Sequence, residues 1–185
     1  MCGTVVSVLV AAYTFWRSAE NNRNQSRKQH TVTILLESRL STEFREVNWN
    51  RKKIYRPGED ILYNDWQAGY TRVPLHPGQT PEKTEERYIA AEALLFLLNY
   101  YEFLVLGIKT GDLDEELLKG TMRGLMCSLV DDARDVIAHL WHGRPKVYEH
   151  LFNLHEGWRD PTMRNTQGAL SERAITCACG QLGKA

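Results

Sequence analysis

Two polar residues stand inside the most apolar stretch of the chain and are the first candidates for chemistry. Asn99 and Glu102 are three positions apart, so a helix would place both side chains on one face. Burying a carboxylate without a partner is costly, and we expect Arg123 and Arg134 to pair with Glu102. These four residues predict a polar binding pocket or a buried pair that fixes helix register, and the register role is favoured.

Histidines provide a second candidate site, of the metal-binding kind. His139 and His142 are three positions apart, a spacing that can direct two ligands at one ion. Further residues of ligand type lie nearby in the sequence: Asp131, Asp132, Asp135, His150 and His155. However, the chain has no HExxH sequence, and imidazoles near a helix C-terminus are favoured by the helix dipole alone. We therefore expect no metal and no cofactor.

Other catalytic signatures are missing from the sequence. It contains no GxxxxGK[ST], GxGxxG or GxSxG pattern. Cys177 and Cys179 are separated by one residue and have no second cysteine pair, which is a weak basis for a metal or redox site. We therefore favour a protein that is not an enzyme. An enzyme module that uses the region of His139 and His142 stays open as an alternative.

The first element that must be placed is the uncharged N-terminal segment, residues 1–16. Tyr13 and Trp16 close it, where the aromatic belt of a membrane helix belongs, and basic residues follow on that side only: Arg17, Arg23, Arg27 and Lys28. A bilayer core of about 30 Å needs about 20 helical residues, so this segment is short. It predicts a single short span of the inner (cytoplasmic) membrane with the bulk of the chain in the cytoplasm. The alternatives are a buried core helix and a soluble oligomer that buries the segment.

Breaker residues divide the rest of the chain. Residues 17–31 are polar and basic without Pro or Gly, which predicts a helical stalk. Apolar residues at helical spacing predict a domain over residues 32–159, interrupted by an irregular, Pro- and Gly-rich loop at 56–83. The tail, residues 160–185, is polar and lacks periodicity, so we predict that it is flexible.

The strongest pattern lies between residues 84 and 142. Apolar residues recur there at three- and four-residue steps on two predicted helices, separated by Gly111 and Asp112. Gly111 predicts a left-handed C-terminal cap, and Asp112 predicts an N-cap for the helix that follows. No segment shows the alternation of a strand. We therefore predict an all-α fold, a small helical bundle with a central αα-hairpin, preceded by an N-terminal hydrophobic helix.

Three aromatic residues in the irregular loop, Tyr63, Trp66 and Tyr70, are the predicted surface for a protein partner. The charge of the chain bears on two other possible partners, nucleic acid and lipid. The 23 basic and 23 acidic residues balance, whereas a nucleic-acid-binding protein usually has a basic excess, so we expect no nucleic acid. Residues 17–53 contain nine basic and four acidic side chains, which favours anionic lipid headgroups beside the uncharged segment.

Several short sequences in the predicted domain are distinctive. They are LNYYEF at 98–103, GI at 107–108, GDLDEELL at 111–118, RG at 123–124, VYEHL at 147–151, and PG at 57–58 followed by DW at 65–66. Over roughly residues 30–160 the chain resembles a family of uncharacterised bacterial and phage proteins. In that family an N-terminal hydrophobic anchor precedes a small helical domain of unknown function, and the resemblance implies no activity.

Together, these observations predict a membrane-tethered, cytoplasm-facing helical protein that acts through contacts with an unidentified protein partner. Two alternatives stay open: a metal-dependent or other enzyme module, and a soluble helical homo-oligomer that buries its N-terminal segment.

Overall fold

The computed structural model describes residues 2–143 and 146–159, with side chains from residue 9 onward except at residue 143. Seven helices form the secondary structure of this part, and none of its residues lies in a strand, which confirms the predicted all-α fold. The helices are α1 Cys2–Leu40, α2 Thr42–Ile54, α3 Tyr63–Tyr70, α4 Pro81–Thr110, α5 Glu115–Asp132, α6 Arg134–Gly143 and α7 Glu149–Arg159.

Helix α1 is one unbroken helix of 39 residues, about 58 Å long at ~1.5 Å per residue. It can be this long because no Pro or Gly occurs between residues 4 and 56. The predicted boundaries after residues 16 and 31 are therefore not breaks in the backbone. The C-terminal part of α1 packs on the domain through Thr31 and Leu35, which are buried, whereas every side chain from residue 9 to residue 23 is exposed.

Helix α4 is the centre of the bundle. It begins where the Thr80 hydroxyl accepts a hydrogen bond from the Lys83 N–H at 3.4 Å and Pro81 occupies the first turn. It ends at Gly111, whose φ of 81° confirms the predicted left-handed cap. Helices α2, α3, α5 and α7 all pack against α4. Its buried side chains are Ala90, Ala91, Ala93, Leu94, Leu97, Leu98, Tyr101, Leu104 and Val105.

In the described part of the chain, one helix is long and apolar enough to cross a membrane by length and composition, and it is α4. Half of that apolar window is buried inside the protein, and Leu94 and Leu98 are completely buried. Such burial is typical of the core helix of a bundle. The most apolar helix is therefore not the N-terminal one, contrary to the prediction that a hydrophobic helix precedes the bundle.

Helices α4 and α5 follow one another across the turn at Gly111, with two corrections to the prediction. The N-cap of α5 is Asp114 rather than Asp112, because the Asp114 carboxylate accepts the Leu117 N–H at 3.0 Å. The helix predicted to continue to residue 142 is interrupted at Ala133, so that α5 and α6 are separate. The carbonyl of Asp132, next to this interruption, accepts a hydrogen bond from the N–H of Ile61 at 2.7 Å. This bond joins the loop before α3 to the end of α5.

The segment predicted as an irregular loop, residues 56–83, contains a helix. Helix α3 occupies its middle and packs against α4 and α6. Trp66 is buried, and its indole N–H donates to the carbonyl of Ala91 at 3.3 Å. The segment therefore covers apolar surface of α4, which explains why a Pro- and Gly-rich stretch carries aromatic side chains.

Candidate interaction surfaces

Glu102, the first candidate for chemistry, lies beside the start of α7. Its carboxylate accepts the N–H of Leu151 at 2.7 Å and that of His150 at 3.4 Å. These are N–H groups of the first turn of α7, which have no partner within the helix, and the helix dipole favours a negative charge there. Glu102 thus caps α7 from the neighbouring helix, a structural role that joins α4 to α7.

The other three polar candidates do not form the predicted buried pair. Asn99 is exposed, and its side-chain oxygen accepts a hydrogen bond from the Tyr148 hydroxyl at 3.0 Å. Arg123 is exposed, and Arg134 lies 3.5 Å from the Asp131 carboxylate and 3.7 Å from Glu156. The prediction that Arg123 and Arg134 pair with a buried Glu102 was wrong, because backbone N–H groups take that place.

The weak candidate ligands His139 and His142 are not joined by further ligands in the part of the chain that the structure describes. No group of three or more His, Cys, Asp or Glu side chains is placed there to hold an ion. The His139 ring instead stacks on Tyr63, with ring centres 4.3 Å apart, and its Nδ1 atom lies 3.3 Å from the Asp135 carboxylate. Cys177 and Cys179 lie outside the described residues.

The aromatic residues predicted as a partner surface are largely internal. Trp66 is buried, Tyr63 is half-buried against His139, and only Tyr70 is exposed. The Tyr70 ring stacks on Trp66 at 5.2 Å. The prediction that the three together form a docking surface was wrong, because the apolar side of α4 had to be covered and α3 covers it.

A buried histidine, which the sequence indicated only as one of several residues of ligand type, joins the last helices. His155 is completely buried, and each ring nitrogen lies 3.1 Å from a carboxylate oxygen, Nε2 from Asp131 and Nδ1 from Glu156. Each of these carboxylates also has an arginine beside it: Arg134 lies 3.7 Å from Glu156, and Arg159 lies 2.9 Å from Asp131. Burial lowers the pKa of His155 below its ordinary value, and the carboxylates of Asp131 and Glu156 oppose this change in part.

We expect His155 to make the protein less stable in mild acid. A histidine whose pKa is lowered in the folded state binds a proton less readily than in the unfolded chain. The free energy of unfolding therefore falls as pH drops below about 6.5, by at most about 1.4 kcal/mol per pH unit. Chemical denaturation at pH 7, 6 and 5, followed by the helical circular dichroism signal, measures this slope.

In that measurement, His155→Gln should show a shallower loss of stability toward pH 5 than the natural chain. His76→Gln, at an exposed position between α3 and α4, is the control and should keep the natural slope. An equal slope in His155→Gln and the natural chain would contradict the assignment.

One side of α4 is not covered by any described element. Four large apolar side chains on it are exposed: Ile89 (41%), Phe96 (49%), Phe103 (61%) and Leu106 (45%). We call this surface, residues 89–106 on the exposed side, the outer face of α4. Ile89, Phe96 and Phe103 are seven positions apart, which is a heptad spacing. This spacing is visible in the sequence, but it did not distinguish these exposed residues from the buried apolar residues of the same helix.

The apolar end of α1, residues 9–16, is the second uncovered surface. Phe15 is 78% exposed and Trp16 is 64% exposed, and Leu9, Val10 and Tyr13 are exposed as well. Arg17, Arg23 and Lys28 follow it as exposed basic side chains. Arg27 differs from these three, because it is half-buried and lies 3.8 Å from the carboxylate of Asp114.

The fold and these surfaces define a class: an all-α bundle with a projecting, apolar N-terminal helix end and one uncovered face on its central helix. The chain matches a domain of unknown function (DUF4760) over residues 1–158 and belongs to that family. This confirms the resemblance to an uncharacterised domain family. No curated protein and no solved structure matches the chain.

Proposed function

We propose that the protein is a membrane-tethered helical domain that acts by binding another protein. The apolar end of α1 is the tether, the domain faces the cytoplasm, and the outer face of α4 is the binding surface. The observation that carries the tether is the set of exposed apolar side chains on an unbroken helix, because large apolar surfaces left in water usually mark a protein or membrane contact.

The order of residues along α1 supports a bilayer as the contact. Aromatic Tyr13 and Trp16 come directly before Arg17, the order found where a helix leaves the hydrocarbon core. Residues 2–16 extend for about 22 Å as a helix, less than the hydrocarbon core of about 30 Å. Local thinning of the bilayer accommodates such a short helix at modest cost. The one-sided basic flank favours the cytoplasmic orientation.

The geometry of the stalk also fits this arrangement. The first side chain of α1 with an ion pair to the domain is Arg27, eleven positions after Trp16. Eleven helical residues extend for about 17 Å, enough to pass through a headgroup layer. The domain would then lie just outside the headgroups, with the outer face of α4 free to bind a protein.

Membrane fractionation tests the tether. The full-length chain should stay with the membranes after an alkaline carbonate wash, whereas Leu9→Arg should be released. An arginine in the hydrocarbon core costs about 2.5–3.5 kcal/mol, so retention should fall on the order of 100-fold. Leu40→Arg, at an exposed leucine near the other end of α1, is the control and should stay membrane-bound.

Two outcomes of this experiment would overturn the tether. One is recovery of the natural chain in the carbonate supernatant. The other is a soluble oligomer of the natural chain that Leu9→Arg converts to monomers, since that result assigns the apolar end to contacts between copies.

A further inference from the structure

The outer face of α4 has a regular pattern that defines a partner more closely. Its exposed positions follow one another at alternating steps of three and four residues: Ile89, Glu92, Phe96, Asn99, Phe103 and Leu106. This is the spacing of a coiled-coil seam, in which two helices pack along one line. A binding surface that continues for about five helical turns along a single line fits another helix better than a compact ligand.

We propose that this face packs against the same face of a second copy of the chain, with the two α4 helices antiparallel. The proposal rests on the proposed function, since it names the partner of the surface assigned there. A two-fold axis near the midpoint of Phe96 and Phe103 places Phe96 of one copy beside Phe103 of the other. Asn99 lies within one residue of that midpoint.

Charge on the outer face selects the antiparallel direction. The N-terminal half carries Glu92 and is preceded on α4 by the exposed Glu82, Lys83, Glu85 and Glu86, while the C-terminal half carries Phe103 and Leu106 and no carboxylate. A parallel pair would bring like charges together at each glutamate, which is unfavourable. An antiparallel pair separates the two acidic halves and so avoids this repulsion.

The same symmetry argues for a second copy over an unrelated partner. Phe96 and Phe103 are both exposed phenylalanines, so a two-fold axis midway between them brings each ring against the other type-matched ring of the second copy. An isologous contact needs this property: each half of the surface must fit the other half. The polar side chain of Asn99 near the axis is of the kind that fixes register in paired helices.

The size of the face sets the expected strength. At about half exposure, and about 200 Å² for each large side chain, the four apolar residues offer on the order of 400 Å² per copy. A stable interface buries about 800 Å² per partner, so this contact is weak in dilute solution. Confinement in a membrane raises the effective concentration, which suits a weak self-association.

Cysteine crosslinking of the full-length chain in detergent micelles tests the pairing. In a background with the four natural cysteines replaced by serine, Asn99→Cys should form disulfide-linked dimers under mild oxidation, because the axis brings the two positions together. Glu85→Cys should crosslink at least 10-fold less, because the two positions are about 40 Å apart in the antiparallel pair. Disulfides need Cα atoms within about 7 Å.

Two further variants distinguish pairing through the outer face of α4 from non-specific association of apolar surfaces. Adding Phe103→Glu to Asn99→Cys should abolish the crosslink. Adding Trp49→Glu, at an exposed aromatic residue on α2, should leave it unchanged. Sedimentation of the natural chain should show a monomer–dimer equilibrium that Phe103→Glu removes.

Each remaining outcome overturns the proposal. Equal crosslinking at positions 85 and 99 would indicate a parallel pair, and no crosslinking with a monomeric mass would exclude the second copy. A crosslink that survives Phe103→Glu would place the contact elsewhere. The crosslinking result does not depend on the carbonate wash, so a failure of the pairing and a failure of the tether are distinguished.

Discussion

Replacing Asp132 by alanine is expected to lower the free energy of unfolding by about 3–5 kcal/mol. Asp132 and Arg51 are both buried, with Nη1 of the arginine 3.5 Å from Oδ2 of the aspartate. Because each charge is held away from water, burial lowers the pKa of Arg51 and raises the pKa of Asp132. The variant would leave the guanidinium charged, buried and without its counter-charge.

A second contact of Asp132, with the loop between α2 and α3, increases the expected loss of stability. The second carboxylate oxygen of Asp132 accepts the N–H of Gly58 at 3.1 Å, so the side chain also holds the loop between α2 and α3. Chemical denaturation followed by the helical circular dichroism signal measures the loss. Asp60→Ala, at an exposed carboxylate of the same loop, is the control and should change stability by no more than about 0.5 kcal/mol.

A double variant separates the lost pair from a general loss of packing. Arg51→Met with Asp132→Leu removes both charges and keeps apolar volume, so it should be considerably more stable than Asp132→Ala alone. A loss below about 1 kcal/mol in Asp132→Ala would show that water reaches the arginine, and would contradict this account.

Replacing Leu98 by alanine should cost about 2–5 kcal/mol, the second large effect. Leu98 is completely buried on the central helix, where neighbouring side chains from several helices meet. Truncation removes its buried apolar surface and leaves a cavity that the packed helices can close only in part.

The matched control is Leu125→Ala, because Leu125 also lies within a helix, α5, but is exposed. Its stability should stay within about 0.5 kcal/mol of the natural chain, and both variants are measured by the same denaturation experiment. Similar losses in the two variants would mean that α4 is not the core helix of the bundle.

The sequence predicted the helical class and the cap at Gly111, because these depend on residues close together in the chain. It did not predict which side of α4 would be left uncovered. That helix is apolar on several sides, and periodicity alone cannot say which side has a neighbour. Phe96 and Leu97 are adjacent and similar in hydrophobicity, yet the first is exposed and the second is buried.

The partners of Glu102 were missed for a different reason. An inventory of side chains points to arginines, whereas the carboxylate binds backbone N–H groups at the start of α7, 48 and 49 positions further along. Backbone donors are present at every residue except proline, so the sequence does not mark which ones a carboxylate will find. His155 was not recognised as a buried centre because one of its two carboxylates, Asp131, lies on α5, 24 positions earlier in the chain.

Because α1 is one unbroken helix, it sets the orientation of the domain about the helix axis as well as its distance from Trp16. An α-helix turns by about 100° for each residue, so the number of residues between Trp16 and Arg27 sets the rotational phase of the domain about the helix axis. Inserting a single residue there would swing the domain by more than a quarter of a circle while lifting it by only about 1.5 Å. In such a molecule the length of the stalk determines the direction in which the domain points.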